Sequence, residues 1–194
     1  MSRTKYIVLI AMITAMAYIL GFFIQIRFMP PPATFLAYDP KDTIIVVGGF
    51  LFGPVAALVI SLVLAFTEMI THSPTGYLGM LMNFSASAAF AVPAALMYKR
   101  MRNIWGVIIG LIIGSLFATA IMLYLNYLIV PLFMPFVTRE QVVDMLIPTF
   151  LPFNLIKTGI NSAIVIIIYK PIFIALKAAG VLEKTDKTDK IDNK

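Results

Sequence analysis

Cysteine is absent from the sequence, histidine occurs once, and charged residues are scarce. Without cysteine the chain can form no disulfide, no thiolate metal site and no cysteine nucleophile. The one histidine, His72, has no metal-ligating partners close to it in the sequence, so we expect no metal site. An enzyme that works through a nucleophile–base pair or a metal cluster is therefore disfavoured. The pattern G-x-x-x-x-G-K-[ST] is missing too, which excludes ATP hydrolysis through a P-loop.

Apolar residues, by contrast, are abundant. They make up 61% of the 194 residues, whereas charged residues make up 12%, about half of their share in a typical soluble domain. The mean hydropathy is +0.96. At about 20 residues per span, this length suits one compact bundle of five or six transmembrane helices. We therefore predict an all-α integral membrane protein.

The apolar stretches divide into six predicted spans. The first covers residues 6–26, which is a full span in length, so we interpret it as a retained helix rather than a signal peptide. As one helix, residues 43–70 would extend about 42 Å, well beyond a hydrocarbon core of about 30 Å. Gly53-Pro54 is a strong helix breaker, and we divide the stretch there. The remaining spans are expected at 77–98, 104–131 and 148–174.

The basic residues predict the orientation of the bundle. With six spans and the N-terminus inside, 11 of the 15 basic residues fall on the cytoplasmic side, as the positive-inside rule expects. Five spans with the N-terminus outside also place 11 inside, so charge alone leaves this choice open, whereas span length and the break favour six. We predict that residues 1–180 form a six-helix membrane domain with both termini cytoplasmic. We expect the polar tail, residues 181–194, to be disordered.

A cluster of charges lies between the first two spans, in the stretch FLAYDPKDTI. One interpretation is structural: Asp39 caps a helix that begins at Pro40, and Asp42, at the third helical position, completes a capping box. Both carboxylates would then face the positive end of the helix dipole. A loop held in this way could also close over a ligand, so the structural and functional interpretations are compatible.

A second polar group lies within the last span. Asn154, Lys157 and Asn161 are three and four positions apart, so they share one helix face. Lys157 falls about 13 Å inside the span, where a lysine is costly and usually faces the bundle interior or a wet cavity. The alternatives are that Lys157 reaches the outer surface or pairs with Glu68 or Asp42. We expect Lys157→Met, which removes the charge, to insert as well as the natural helix or better.

Asparagines of two further spans are predicted at a similar depth. Asn83 follows the outer start of one helix, and Asn126 precedes the outer end of the next. A single buried asparagine often does no more than join two helices by a hydrogen bond. Agreement in depth among three helices instead indicates a pocket in the outer part of the bundle. Aromatic and methionine residues nearby suit a flat, partly apolar ligand, although aromatic residues are also normal at membrane interfaces.

Small residues form two ridges on the predicted helices. Ala11 and Ala15 give the first helix an A-x-x-x-A face, which lets another backbone approach closely. Gly106, Gly110 and Gly114 form a similar ridge on the fifth helix. Either ridge alone is a weak signal, because such ridges usually pack helices of the same chain.

Together these features resemble the riboflavin-specific substrate-binding (S) subunits of energy-coupling-factor (ECF) transporters. The resemblance covers about residues 5–180. It rests on the six spans, the A-x-x-x-A pattern, Y-D-P-K-D at the start of the second span and N-L-I-K near the start of the sixth. The sequence departs from many relatives at Ile44, where a proline is common, and this leaves the loop conformation open.

The resemblance implies a function. Such S subunits bind a vitamin from outside, in the bacterial cell membrane, without a cofactor, and a neutral ligand such as riboflavin avoids burying a second net charge beside Lys157. The residues implied to bind it are those of a lid, Tyr38, Asp39, Lys41 and Asp42, and those of a polar pocket, Asn83, Asn126, Asn154 and Lys157. Ala11 and Ala15 are implied to dock on a membrane coupling (T) subunit, which carries two cytoplasmic ATPases.

Three other functions fit the composition less well. The chain could be an S subunit for another vitamin. A self-sufficient ion-coupled transporter would need a buried acid in mid-membrane, and each acid here maps to a loop, a helix end or the tail. In a purely structural assembly subunit, a buried polar face would be an unnecessary cost.

Overall fold

The chain folds as a helical bundle. A computed structural model describes residues 2–31 and 33–178, with side chains through residue 174, and contains no β-strand in this part of the chain. The predicted tail lies outside the described residues. The helices are α1 (Arg3–Phe23), α2 (Lys41–Phe52), α3 (Pro54–Thr71), α4 (Gly76–Met101), α5 (Ile104–Phe133), α6 (Arg139–Met145) and α7 (Leu151–Ala178), with a π-helical turn, Leu146–Phe150, between α6 and α7.

Within the described residues, five helical stretches are long and apolar enough to cross a membrane. Four of them are α1, α3, α4 and α5, and the fifth runs from α6 through the π-helical turn into α7, Arg139–Ile174. The second helix has only 12 residues, so it extends about 18 Å. The all-helical membrane fold is thus confirmed for the described residues. It has six main helices when α6, the π-helical turn and α7 are counted as one, and α2 is shorter than a complete span.

The predicted break between α2 and α3 is confirmed. Gly53 has a φ of 94°, in the region that favours glycine, and Pro54 occupies the first position of α3. Proline fits there because the first amide of a helix has no intrahelical partner. The chain therefore reverses between the two helices with a single connecting residue.

The glycine ridge of α5 packs against α4 of the same chain, as such ridges usually do. A Cβ atom added at Gly110 would lie 2.8 Å from the carbonyl oxygen of Ala94. One added at Gly114 would collide with the carbonyl oxygen of Phe90. The two backbones therefore approach closely because the α5 residues have no side chain.

The main apolar core surrounds α2. Ile45, Val46 and Phe50 of this helix pack with Ile60 of α3 and Phe90 of α4, and the neighbours of α2 are α1, α3, α4 and α7. A second apolar cluster lies where the α1–α2 connection meets α6. It comprises Ala33, Leu36, Val130, Val142, Phe150 and Phe153. We call this end of the bundle the loop end.

The first helix presents its alanine ridge outward. Ala11 and Ala15 are exposed, whereas Thr14, Ala17 and Gly21 are the buried residues of α1. The A-x-x-x-A face is therefore not used in packing within the described part of the chain. Helix α1 packs on α2 and α3 through its other face.

Candidate functional site

The connection between α1 and α2 is folded over the loop end rather than extended from it. Ile26 and Tyr38 form an antiparallel bridge, in which each amide N–H donates to the carbonyl oxygen of the other residue at 2.9 Å. Ala33 and Leu36, within the loop so closed, are buried in the second apolar cluster. Apolar contacts on one side and the bridge on the other thus position Tyr38 and Asp39 at the start of α2.

The predicted capping box at the start of α2 is wrong. The helix begins at Lys41, and its N-cap is Pro40, whose side chain offers no capping hydrogen bond. Asp39 precedes the cap, and its carboxylate accepts a hydrogen bond from Lys157. Asp42 lies in the first turn of α2, as predicted, but its Oδ1 accepts a hydrogen bond from the Ser87 hydroxyl at 2.5 Å. The two carboxylates therefore join α2 to other helices.

Lys157 lies between these two carboxylates. Its Nζ is 3.1 Å from Oδ2 of Asp39 and 3.5 Å from Oδ2 of Asp42, and its side chain is 14% exposed. The alternative in which it reaches the outer surface is therefore excluded, and the predicted pairing with Asp42 is confirmed. Because a buried ammonium group is costly unless it is paired, these contacts explain how the lysine is accommodated.

A second ion pair lies beside the first. Nζ of Lys41 donates to both carboxylate oxygens of Glu68, at 2.7 and 2.8 Å, and lies 3.8 Å from Oδ2 of Asp39. Glu68 is buried in the last turn of α3 and also accepts a hydrogen bond from Nδ2 of Asn83 at 3.0 Å. The start of α2 is thereby joined to α3 and α4.

Asn161 completes the connections between the loop and α7. Its Oδ1 accepts hydrogen bonds from the Tyr38 hydroxyl at 3.2 Å and the Thr43 hydroxyl at 3.1 Å. The described residues thus form one group of polar side chains at the loop end, contributed by the loop and four helices. We call it the polar cluster: Tyr38, Asp39, Lys41, Asp42, Thr43, Glu68, Asn83, Ser87, Lys157 and Asn161.

Two predicted site residues have different hydrogen-bond partners. Asn126 is fully buried and donates to the carbonyl oxygen of Met122, and Asn154 donates to that of Phe150. Each bond joins residues four positions apart along the chain, within α5 for Asn126 and from α7 back to the π-helical turn for Asn154. Oδ1 of Asn126 and Nδ2 of Asn161 are buried and have no hydrogen-bond partner among the described residues. Such atoms are costly unless another molecule satisfies them.

The charges of the cluster alter the titration of the loop residues. Burial alone would raise the pKa of Asp39, but the positive charges of Lys157 and Lys41 outweigh it and hold that pKa below its ordinary value. Burial, with the Asp39 charge as a smaller cause, raises the pKa of Tyr38. At neutral pH Asp39 is therefore ionised and accepts hydrogen bonds, whereas the Tyr38 phenol keeps its proton and donates.

Sequence reasoning overlooked two members of the cluster. Ser87 lies four positions after Asn83 and therefore on the same face of α4, a spacing that could have identified it. Thr43 follows the charged motif directly, but a threonine there carries no distinctive signal. Glu68, considered from the sequence as a partner for Lys157, forms its salt bridge with Lys41 instead.

A separate groove of about 280 Å³ runs between α5 and α7. Most of its lining is aliphatic, with Ser115, Thr158 and Ser162 as its polar side chains. No residue of the polar cluster lines it. The groove therefore does not belong to the site formed by the loop end.

Fold and site together define a class: a small helical membrane protein with a buried, charged site closed by a loop at one end. The chain belongs to the family described as ECF transporter, substrate-specific component, whose model matches residues 5–169. This finding confirms the resemblance seen in the sequence.

Individual relatives agree with this family assignment. The chain is 30% identical to the riboflavin transporter RibU of Staphylococcus aureus (strain TCH60), over 88% of this chain and 91% of the relative. It is 28% identical to the riboflavin transporter FmnP of Bacillus subtilis (strain 168), over 90% and 93%. A solved structure of the S component of a bacterial ECF transporter superposes with a TM-score of 0.74 at 31% identity, covering 91% of this chain and 99% of that one.

Proposed function

We propose that this chain is the riboflavin-binding subunit of an ECF transporter in a bacterial cell membrane. It has six helical crossings with both termini cytoplasmic, so that the loop end faces outward. The names of the relatives support riboflavin as the ligand. The basic residues Arg3, Lys5, Lys99, Arg100 and Lys170 are exposed at the opposite end, and this distribution supports the orientation.

The observation that carries the proposal is that the loop closes directly on Lys157. Asp39 and Asp42 approach this lysine from the loop and from α2, so the loop lies over the site that the resemblance assigns to the vitamin. When riboflavin enters, the loop moves aside and then closes again over the ligand. The ligand then contacts the lid residues Tyr38, Asp39, Lys41 and Asp42.

The asparagines supply polar groups for the vitamin. The free Oδ1 of Asn126 can accept a hydrogen bond from a ribityl hydroxyl or the ring imide, and the free Nδ2 of Asn161 can donate to a ring carbonyl. Asn154 and Lys157 lie one turn apart on α7, and Asn83 of α4 joins the polar cluster through its hydrogen bond to Glu68. A few placed polar groups in an otherwise apolar pocket are the usual basis of specificity for small molecules.

Energy for transport comes from partners. Ala11 and Ala15 dock on a membrane coupling subunit, which works with two cytoplasmic ATPases. The exposure of both alanines supports this role, since a small-residue ridge turned away from its own bundle is open to another helix. The chain itself acts as a binding subunit rather than an enzyme.

The direct test is riboflavin binding by the purified subunit. The protein is extracted in mild detergent, and the quenching of riboflavin fluorescence is titrated with it. We expect saturable quenching, and yellow flavin that leaves on denaturation. If the folded protein neither carries flavin nor quenches added riboflavin, the proposal is wrong. Thiamine and biotin, added in excess as competitors, test for an S subunit that takes another vitamin.

A further inference from the structure

The groove between α5 and α7 lies at the depth of the lipid chains. Its α5 wall covers residues 108–116 and its α7 wall residues 155–166, and both walls belong to stretches that can cross a membrane. Trp105 and Tyr124, both exposed on α5, lie beyond the two ends of the α5 wall. About 28 Å of helix separates them, close to the roughly 30 Å of a hydrocarbon core, and exposed aromatic residues are typical of the two membrane interfaces. The groove is therefore open to hydrocarbon rather than to water.

The groove is also narrow. At 1.5 Å per residue, its α5 wall is about 12 Å long and its α7 wall about 17 Å long. A volume of about 280 Å³ spread over that length corresponds to a space about 5 Å wide, whereas a helix with its side chains is about 10–12 Å wide. A second transmembrane helix therefore cannot lie in the groove, but one extended hydrocarbon chain can.

The lining of the groove is suited to such a chain. Among the described residues that line it, six are leucine or isoleucine and none is charged. Ile112, Leu116 and Leu155 are exposed along it, so they offer van der Waals contacts to an apolar occupant. Gly159 of α7 leaves the groove open, because a Cβ atom added there would meet nothing within 4 Å.

The hydroxyl groups of the lining do not require a polar ligand. The Thr158 hydroxyl donates to the carbonyl oxygen of Asn154, four positions earlier, at 2.8 Å. The Ser162 hydroxyl is buried without a hydrogen-bond partner among the described residues. A serine hydroxyl rotates freely and can turn to the carbonyl oxygen four positions earlier in its own helix, and Ser115 has the same option. The groove can therefore hold an apolar chain without leaving these groups unsatisfied.

We propose that the groove between α5 and α7 is a lipid-binding site that holds one acyl chain of a membrane phospholipid. The chain completes the packing between the two helices. It lies on another face of α7 from the one that carries Lys157 and Asn161, and no residue of the polar cluster lines the groove. The site is thus separate from the vitamin site, and the inference does not depend on which vitamin binds at the loop end.

The test is a titration of the purified protein in mild detergent with dioleoylphosphatidylcholine, followed by native mass spectrometry. We expect saturable binding of one lipid molecule per chain. Gly159→Phe places a phenyl ring in the groove and should weaken lipid binding by at least about tenfold, because ring and chain compete for one space as in an overpacked core. Ala163→Phe is the matched control, since Ala163 is exposed on the same helix and does not line the groove. It should leave lipid binding unchanged.

Thermal melts give a second readout. Because the lipid binds the folded protein, added dioleoylphosphatidylcholine should raise the melting temperature of the natural protein and of Ala163→Phe, and raise that of Gly159→Phe less. If Gly159→Phe does not fold, Ser162→Leu adds bulk to the same groove and replaces it.

Three results would overturn the proposal. The first is the absence of saturable lipid binding to the natural protein. The second is equal lipid affinity of the natural protein and the variant with the filled groove. The third is a dimer that is lost in Gly159→Phe but persists in Ala163→Phe, which would assign the groove to a second copy of the chain.

Discussion

Lys157 and Asp39 are 118 positions apart in the chain, yet Nζ of the lysine donates to Oδ2 of the aspartate at 3.1 Å. This contact links the last helix to the loop before α2. It shows that the lysine, which looked isolated in the sequence, is one partner in a buried ionic group. Its replacement therefore affects both the ligand site and the fold.

Lys157→Met should weaken riboflavin binding and also lower the melting temperature without ligand. Loss of a charged donor costs about 1.5–3 kcal/mol of binding free energy, or about 10- to 150-fold in affinity. Breaking a buried pair by removing one partner costs about 3–5 kcal/mol of stability, because Asp42 then has no described salt-bridge partner and Asp39 keeps only Lys41, at 3.8 Å. Fluorescence titration and a thermal melt measure the two effects. Lys170→Met, at an exposed position of the same helix, is the control.

This expectation differs from that drawn from the sequence, in which removal of a lone charge leaves insertion unharmed or improves it. If the variant melts at or above the melting temperature of the natural protein, the fold tolerates Asp39 and Asp42 without the positive charge of Lys157. In that case the paired arrangement contributes nothing to stability.

Asp39→Ala should speed the release of riboflavin while the bundle remains folded. Among the described salt bridges, the one between Asp39 and Lys157 is the one that joins α7 to the loop before α2, and this variant removes it. The lost charge-assisted hydrogen bond amounts to about 1.5–3 kcal/mol, more than the roughly 1 kcal/mol of a helix cap. Stopped-flow recovery of flavin fluorescence measures the release rate. An unchanged rate would show that the loop is held by its apolar contacts alone.

Acid should weaken the closed loop in a defined direction. Because the pKa of Asp39 is lowered in the folded protein, its stabilising effect is complete above its unfolded-state pKa of about 3.9 and is lost as the pH falls through the folded-state value. Melting temperatures measured from pH 7 to pH 3 should therefore show no Asp39-dependent change above about pH 5 and a decline below pH 4. The same series with Asp39→Asn should decline less. Parallel curves for the two proteins would contradict this.

Replacing Ala11 and Ala15 with tryptophan should abolish transport but leave riboflavin binding by the isolated subunit intact. Both positions are exposed, so the larger side chains meet no residue of their own bundle and block only an approaching helix. Ala17→Trp is the matched control, since Ala17 on the same helix is fully buried and its replacement should destabilise the fold. Equal loss of riboflavin binding in the double variant would assign the ridge to internal packing.

Gly114→Ala should destabilise the bundle, whereas Gly159→Ala should not. The added methyl group at Gly114 meets a carbonyl oxygen of α4, and such overpacking costs about 1–3 kcal/mol. At Gly159 nothing lies within 4 Å, and alanine in a helix is favoured over glycine by about 0.5–1 kcal/mol. Thermal melts of the two variants compare them directly. Similar melting temperatures would mean that α4 and α5 can move apart without cost.

Hydropathy and helix-breaking residues were enough to predict the main helices. Both the length of an apolar run and the Gly53-Pro54 pair are local features of the sequence. Depth along the helices placed Lys157 and Asn83 at one end of the bundle, where both join the polar cluster. The hydrogen-bond and ion-pair partner of Asp39 could not be predicted in the same way. Whether Asp39 caps its own helix or pairs with a residue on α7 depends on how α2 and α7 pack, and this is a tertiary property. The division at Gly53-Pro54 already made α2 a short helix, but the burial of its charged first turn could not be predicted, because hydropathy assigns such residues to a boundary.

The shortness of α2 has a consequence for how the chain enters the membrane during synthesis. A 12-residue helix that starts with a lysine and an aspartate is too short and too polar to partition into lipid by itself. It is joined to α3 through Gly53 alone, so the two helices form a tight hairpin whose apolar length resides mostly in α3. Insertion of α2 therefore depends on α3 entering with it, which also brings Glu68 to pair with Lys41. Asp42 gains its ion-pair partner only when α7 arrives with Lys157. The final helix thus completes the ionic group that the second helix begins.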